Sequence, residues 1–338
     1  MSPSALRVID FGRVAPLRSQ TLWHAIAHGV SAGAPPTLSL MQPDAPYVSI
    51  GFHRRLEEID QAHCRRAGLP VYRRMVGGGP VYLDEGQLFF QITLPLDMVT
   101  AVRARAVRDA LAPAVEAFRA VGIDASVEKQ GDVVVGDRKI SGHGAGQIEQ
   151  AVVVVGNLIS RFDHAAAART VDTPDQETRD EFEALMRRYL LPTPADPIAF
   201  ASAATRAYGS ALGLDPEVGR LNGYEEEKLA EVDGDFLDEG WLRGHPRIPP
   251  NVWHVKVKAG VLLLRAIDGA SHAQVSVAGG RIVRARLTDP ELNGAAAVTE
   301  DSLAGLTVSQ GRAALSALGS AGDRLGSLLH EIERVARA

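Results

Sequence analysis

The segment Arg73-Arg74-Met75-Val76-Gly77-Gly78-Gly79-Pro80-Val81-Tyr82-Leu83-Asp84-Glu85-Gly86 sets three consecutive glycines behind an arginine pair, between two stretches of β pattern. Glycine has no Cβ to hold a ligand away and reaches backbone conformations closed to other residues, while three in a row raise the entropy lost on folding. Beside two guanidinium groups, the N–H groups of such a loop make a seat for a phosphate or a carboxylate. Spacing alone leaves a loose hairpin loop as an equal alternative. A second segment, Gly131-Asp132-Val133-Val134-Val135-Gly136-Asp137-Arg138-Lys139-Ile140-Ser141-Gly142-His143-Gly144, sets Lys139 just beyond a tight turn at Gly136-Asp137. Standing alone, Lys139 reads as an ordinary strand lysine.

As an ordered pair the two segments say more. Arg-Arg-x-x-Gly-Gly-Gly-x-Val-Tyr-x-Asp followed by Gly-Asp-Arg-Lys-Ile-Ser-Gly resembles the lipoate–protein ligases, within the biotin and lipoate ligase and transferase superfamily, over residues 5–245. The resemblance implies an α+β fold of mixed and antiparallel sheets flanked by helices. It implies a two-step reaction: lipoate, with octanoate as a second substrate, is activated by ATP to acyl-AMP and pyrophosphate, and an acceptor lysine then displaces AMP. ATP and Mg²⁺ are the implied cofactors. The implied partner is a lipoyl domain of a dehydrogenase-complex E2 subunit, a glycine cleavage H-protein or a related lipoate-binding protein.

Residue by residue, the resemblance assigns roles. Both steps develop negative charge at the reacting centre, where a fixed ammonium is the strongest aid available, and this is the role given to Lys139. Arg74 resembles the arginine that closes over the adenylate phosphate, while Arg73 is equally a surface charge. Gly77, Gly78 and Gly79 line the acyl chain. Val81 and Tyr82 continue into the strand, Tyr82 either bordering the pocket or buried in the core. Asp84 holds the loop through backbone hydrogen bonds or orients the incoming amine. Ser141 and Gly142 match positions that bring backbone N–H groups to the acyl-adenylate, and Gly144 and Ala145 keep the site narrow. His143 is a departure or a neutral lining residue, with no proton transfer assigned to it. Asp132 is expected to help bind Mg²⁺ with the ATP phosphates, and the metal ligands are otherwise unassigned.

Three departures stand out: Leu83 and Val155 replace histidines common in the family, and Gly131 replaces an asparagine. Val152–Val155 reads as core. Biotin as substrate is disfavoured because Met75-Val76-Gly77-Gly78-Gly79-Pro80 lacks arginines among its glycines. Some superfamily members transfer the acyl group through a cysteine thioester, but residues 65–338 contain no cysteine, and Cys64 reads as an inert helix residue. Adenylation is therefore expected. The alternatives are a cysteine-independent transferase working from a carrier protein and a non-catalytic lipoyl-binding protein.

The elements that must position these residues follow from pattern. At 338 residues and 46% hydrophobic content the chain can bury a sizeable core and divides into two expected domains, 1–248 and 249–338. A net charge of −5 argues against nucleic acid as the main partner. No apolar run approaches the ~20 residues needed to span a bilayer, and no basic-then-apolar leader opens the chain, so a cytoplasmic location is expected. Strands are expected at Leu6–Asp10, Thr37–Met41, Tyr47–Ile50, Val71–Arg74, Val81–Leu83, Gln87–Leu94, Asp124–Val127, Asp132–Val135, Arg138–Gln147 and Ala151–Ser160. Helices are expected over Pro16–Val30, over Leu56–Ala67 around Cys64, and over Thr100–Val121 with an interruption or kink at Pro113. Residues 163–245 read as largely helical, with Pro192, Pro194 and Pro197 separating segments. Beyond a boundary at Gly244-His245-Pro246-Arg247-Ile248-Pro249-Pro250, of which 246–250 is a candidate hinge, a β-meander with a Gly279-Gly280 turn precedes two helices at Ser309–Leu318 and Ala321–Ala336.

Overall fold

The structure, a computed structural model, describes residues 5–99, 103–128, 131–244, 252–292 and 300–337. The chain forms two compact units, Met1–Arg247 and Ile248–Ala338. The expected hinge, residues 246–250, lies outside the described residues, as does the start of the helix expected from Thr100.

A six-stranded mixed sheet is the frame of the first unit. It comprises β1 (Ala5–Val14), β2 (Thr37–Pro43), β6 (Gln87–Pro95), β10 (Gly144–Ile148), β11 (Ala151–Ile159) and β12 (Asp215–Val218), in the order β10-β11-β6-β2-β1-β12. β1 runs parallel to β2 and β12, and the other pairs are antiparallel. Alternate residues face opposite layers. Leu38, Leu40, Phe90, Ile92 and Val154 meet Leu111, Phe118, Phe200 and Tyr208 of α3 (Arg103–Ala120) and α6 (Pro197–Leu212). Ile9, Ile148 and Val153 belong to a second core with Trp23, Ile26 and Val30 of α1 (Pro16–Ser31).

Two three-stranded sheets carry the motifs. The first joins β3 (Tyr47–Ile50), β4 (Val71–Arg73) and β5 (Val81–Leu83) in the order β4-β3-β5, so the glycine loop between β4 and β5 must cross the end of β3. α2 (Gln61–Arg66) packs Cys64 beneath that sheet with Val48 and Ile50. The second joins β7 (Ser126–Val127), β8 (Val133–Val135) and β9 (Arg138–Ser141), with the expected turn at Gly136-Asp137, where Gly136 has φ +60°. The remaining helices are α4 (His164–Arg169), α5 (Gln176–Tyr189), α7 (Gly223–Leu237) and α8 (Glu239–Arg243). Asp175, Asp196 and Asn222 cap α5, α6 and α7 by accepting backbone N–H bonds.

Four expectations differ from the structure. The helix around Cys64 begins only at Gln61, capped by Asp60, after a separate 3₁₀ turn at Leu56–Glu58. α3 continues through Pro113, because Leu111, Ala114, Val115 and Phe118 are buried and hold the turns on either side of the missing hydrogen bond. β12 interrupts the helical region; its four residues are exposed and include Pro216, which an edge strand tolerates. The expected strand Arg138–Gln147 is two strands in different sheets, broken at Gly142-His143.

The second unit is an antiparallel meander of β13 (Val252–Lys258), β14 (Val261–Asp268), β15 (Ser271–Ala278) and β16 (Arg281–Thr288). With it are α9 (Glu300–Leu303), α10 (Val308–Leu315) and α11 (Gly319–Arg337), which buries Leu325, Leu329 and Ile332 against Leu264, Val275 and Ile282. No helix among the described residues is long and apolar enough to cross a membrane.

Candidate functional site

Adjacent residues of a strand point to opposite faces, and this separates the arginine pair. Arg73 is fully buried, and its guanidinium donates at 2.8–3.0 Å to the carbonyls of Gly51, Phe52, Arg54, Leu242 and Arg243. It ties the end of α8 to the turn after β3 and is no surface charge. Arg74 turns into the glycine loop: Nε and Nη2 donate to Gly77 O at 3.2 and 2.9 Å, Nη2 also to Gly79 O at 2.8 Å, and Nη1 to Ser49 O at 2.8 Å. Burial pulls its pKa down to about 10, so the guanidinium stays charged at neutral pH while its described partners are uncharged carbonyls.

The loop wraps closely on β3. Arg74 N–H donates to Ile50 O at 2.9 Å and Phe52 N–H to Val76 O at 3.2 Å. A methyl group on Gly51 would overlap the Gly78 carbonyl, and Gly78 itself has φ +104°. Gly77 and Gly79 differ, since a methyl group on either would meet nothing within 4 Å. Their small size answers no protein neighbour and leaves room for a ligand.

Val76, at the base of the loop, is buried and reaches β10, where a methyl group on Gly144 would lie 2.9 Å from its Cγ2. The glycine segment and the lysine segment therefore meet through Val76 and Gly144. Ala145 faces the other way, opposite Val154, and packs with the α3 and α6 core. It does not narrow the space beside Gly144.

Lys139 and Asp132 come together across the β8–β9 hairpin, with Nζ 2.9 Å from Oδ1 and both side chains mostly buried. The last turn of α5 and the segment after it brace the hairpin: Arg188 pairs with Asp137 at 2.7 Å, and Leu191 N–H donates to Lys139 O at 2.8 Å. Ser141 is fully buried and its hydroxyl accepts from Asn157 N–H at 3.2 Å. The Gly142 N–H donates to Asn157 Oδ1 at 2.6 Å, so it is committed to a side chain and is not directed at an open site.

Asn157 Nδ2 in turn donates to Gln87 Oε1 at 2.8 Å, and Gln87 Nε2 donates to Tyr82 O at 3.3 Å and Asp84 Oδ1 at 3.4 Å. Asp84 Oδ1 also accepts from Gly86 N–H at 3.0 Å, while burial raises its pKa. Of the two roles expected for Asp84, the geometry is that of a turn anchor. A continuous buried chain thus runs from the exit of the glycine loop to the joint after Lys139. Its middle members, Gln87 and Asn157, were not expected as site residues. Their one signal was polar side chains inside apolar strands, which must find partners.

Val81 is 37% exposed at the start of β5. Tyr82 is half-buried, edge-on to Phe162 at 6.4 Å, with its pKa pushed up to about 12 by burial and then by Asp84, Asp163 and Glu85. No group of three or more His, Cys, Asp or Glu side chains that could hold a metal ion occurs among the described residues.

Comparison with known proteins adds an independent line. A family model described as the lipoyl protein ligase A/B catalytic domain matches residues 16–188. The chain is 24% identical over 238 residues to lipoate-protein ligase A subunit 1 of Thermoplasma acidophilum, covering 65% of this chain and 89% of that protein. Among solved structures, the bipartite lipoate protein ligase of Thermoplasma acidophilum, described with its E2 lipoyl domain, superposes with a TM-score of 0.66. It is 23% identical, with 73% of this chain and 99% of that chain covered. A lipoate-protein ligase A bound with ATP gives a TM-score of 0.61 at 21% identity, with 72% and 99% covered. At such identities the likeness establishes the fold.

Proposed function

Because the chain belongs to the lipoyl protein ligase A/B catalytic-domain family, we propose that it is an ATP-dependent lipoate–protein ligase. It activates lipoate, and octanoate as a second substrate, and transfers the acyl group to a lysine of a lipoyl domain in the cytoplasm. The acceptor belongs to an E2 subunit, an H-protein or a related carrier. The observation that carries the reading is the Lys139 ammonium, held beside Asp132 at 2.9 Å on a braced hairpin whose next strand, β10, meets the glycine loop through Gly144 and Val76.

In the first step a carboxylate oxygen of the acid attacks the α-phosphorus of ATP. The new O–P bond forms as the bond to the pyrophosphate oxygen breaks, and negative charge gathers on the α-phosphoryl oxygens. An ammonium has three donors, so Lys139 can keep Asp132 with one and offer the others to those oxygens. In the second step the acceptor ε-amine attacks the acyl carbon, the C–O bond to phosphate breaks, AMP leaves, and the amine gives up its proton. Lys139 then polarises the carbonyl. Arg74 would release loop carbonyls and take the adenylate phosphate, for which a fork-shaped cation is suited. Gly77 and Gly79 leave space for the acyl chain, and Asp84 secures the loop's exit. Mg²⁺ would be held by the phosphates of incoming ATP with Asp132, and no step is assigned to it.

A thiol route has no support. Cys64, the chain's one cysteine, is 1% exposed and its pKa is pushed up to about 11, chiefly by burial. The test is lipoate-dependent pyrophosphate release from ATP with no acceptor present, for wild type and Lys139→Ala together. Release by wild type and its loss in the variant, with fold retained, is expected. Carrier-dependent acyl transfer without ATP would replace the ligase by a transferase.

A further inference from the structure

His143 stands at the joint between β9 and β10, four residues from Lys139. The residue is half-buried, yet both ring nitrogens are shielded from solvent and neither has a hydrogen-bond partner among the described residues. Other buried histidines are better provided for. His24 also leaves one nitrogen unmet, but its Nδ1 bonds Gln20 O at 2.8 Å and its ring stacks on Trp23 and meets Phe236 edge-on. Nothing comparable holds His143. The neighbouring Gly142 N–H is taken by Asn157, and Gly144 faces Val76 and Val155.

A neutral imidazole offers one donor and one acceptor, and leaving both unmet in a shielded place is unfavourable. Burial, then the Lys139 charge, pull the His143 pKa down to about 3, with Asp132 opposing. A group so weakly basic is no proton acceptor at neutral pH. It remains able to donate and accept hydrogen bonds, and unmet polar groups of this kind cluster where a ligand completes them.

We propose that His143 is a ligand-binding residue of the Lys139 site. One ring nitrogen donates to an oxygen of the acyl-phosphate group of the bound acyl-adenylate, and the other accepts from a hydroxyl or amine N–H beside it. The inference rests on the ligase reading and extends it to a side chain on which that reading does not depend.

The test compares full-length wild type, His143→Leu and His143→Asn, using a non-hydrolysable acyl-adenylate in which sulfamate replaces phosphate. Binding is measured by calorimetry and stability by thermal denaturation without ligand. Wild type should bind. His143→Leu should bind about ten- to a hundredfold more weakly, the loss expected for hydrogen bonds to a charged group. The same variant should melt at a higher temperature than wild type when ligand-free, because two unmet polar atoms are gone. His143→Asn, with one donor and one acceptor, should recover part of the affinity. Unchanged affinity in His143→Leu, with wild type binding, overturns the inference alone. No binding by wild type overturns it together with the ligase reading.

Discussion

At the scale of single residues, the informative side chains are those whose partners lie far away in sequence. Asn157 sits in the run Val152–Ile159, where a polar amide has no local partner, and it satisfies Gly142 and Gln87 at once. Asn157→Ala would strand the Gly142 N–H and the Gln87 carbonyl in a shielded place, a loss of about 1–3 kcal/mol for each unmet group. A urea denaturation midpoint close to that of wild type would show that the chain of bonds is not needed to hold the joint. The amide's burial was legible from the strand it interrupts, but its partners were not, because residues 87 and 142 are brought to it only by sheet pairing. The Arg73-Arg74 pair makes the same point. Identical in type and adjacent, they differ because β4 turns one into the protein, onto five carbonyls, and the other into the loop.

Among elements, the glycine loop and its two strands were legible, and so was the lysine hairpin, because turn residues and β pattern agree there. The break at Gly142-His143 was signalled only by the glycines at 142, 144 and 146, since glycine inside a strand pattern marks a bulge or bend, while the Asn157 side chain that takes the Gly142 N–H lies 15 residues on. The sequence could not reveal Gly51 as the loop's floor. The crossing geometry makes a sharp contrast among glycines. Gly51→Ala places a methyl group on the Gly78 carbonyl, so the loop must shift, with a stability loss of about 1–3 kcal/mol as for overpacking in general. Gly77→Ala meets no protein atom and should leave the melting temperature unchanged while raising the KM for the acid, if the acyl chain runs over the loop. Equal effects of the two substitutions on stability would mean that the loop does not rest on β3 in solution.

On the scale of the whole molecule, the two units differ in how acid should reach them. His24 in the first unit has its pKa pulled from 6.5 to about 3 by burial, and His143 likewise. The unfolded chain binds protons at these positions below 6.5 while the folded one does not, so stability falls as pH drops from 6.5 toward 3. In the second unit Arg324 holds the Asp289 carboxylate below its ordinary 3.8, with bonds of 2.6 and 2.8 Å and a third from Ser271. That contribution is fully present above 3.8 and is lost only below it. Acid should therefore weaken Met1–Arg247 first and leave Ile248–Ala338 protected until the carboxylates titrate. Peptide-resolved hydrogen exchange, corrected for the intrinsic pH dependence of exchange, reads the two units separately. Peptides carrying α1 and α7 should lose protection between 6.5 and 3.8, and those carrying β15 and α11 should keep it. His24→Gln should narrow the gap if the buried imidazole is its cause; the same order of loss with an unchanged gap would assign the sensitivity to other groups.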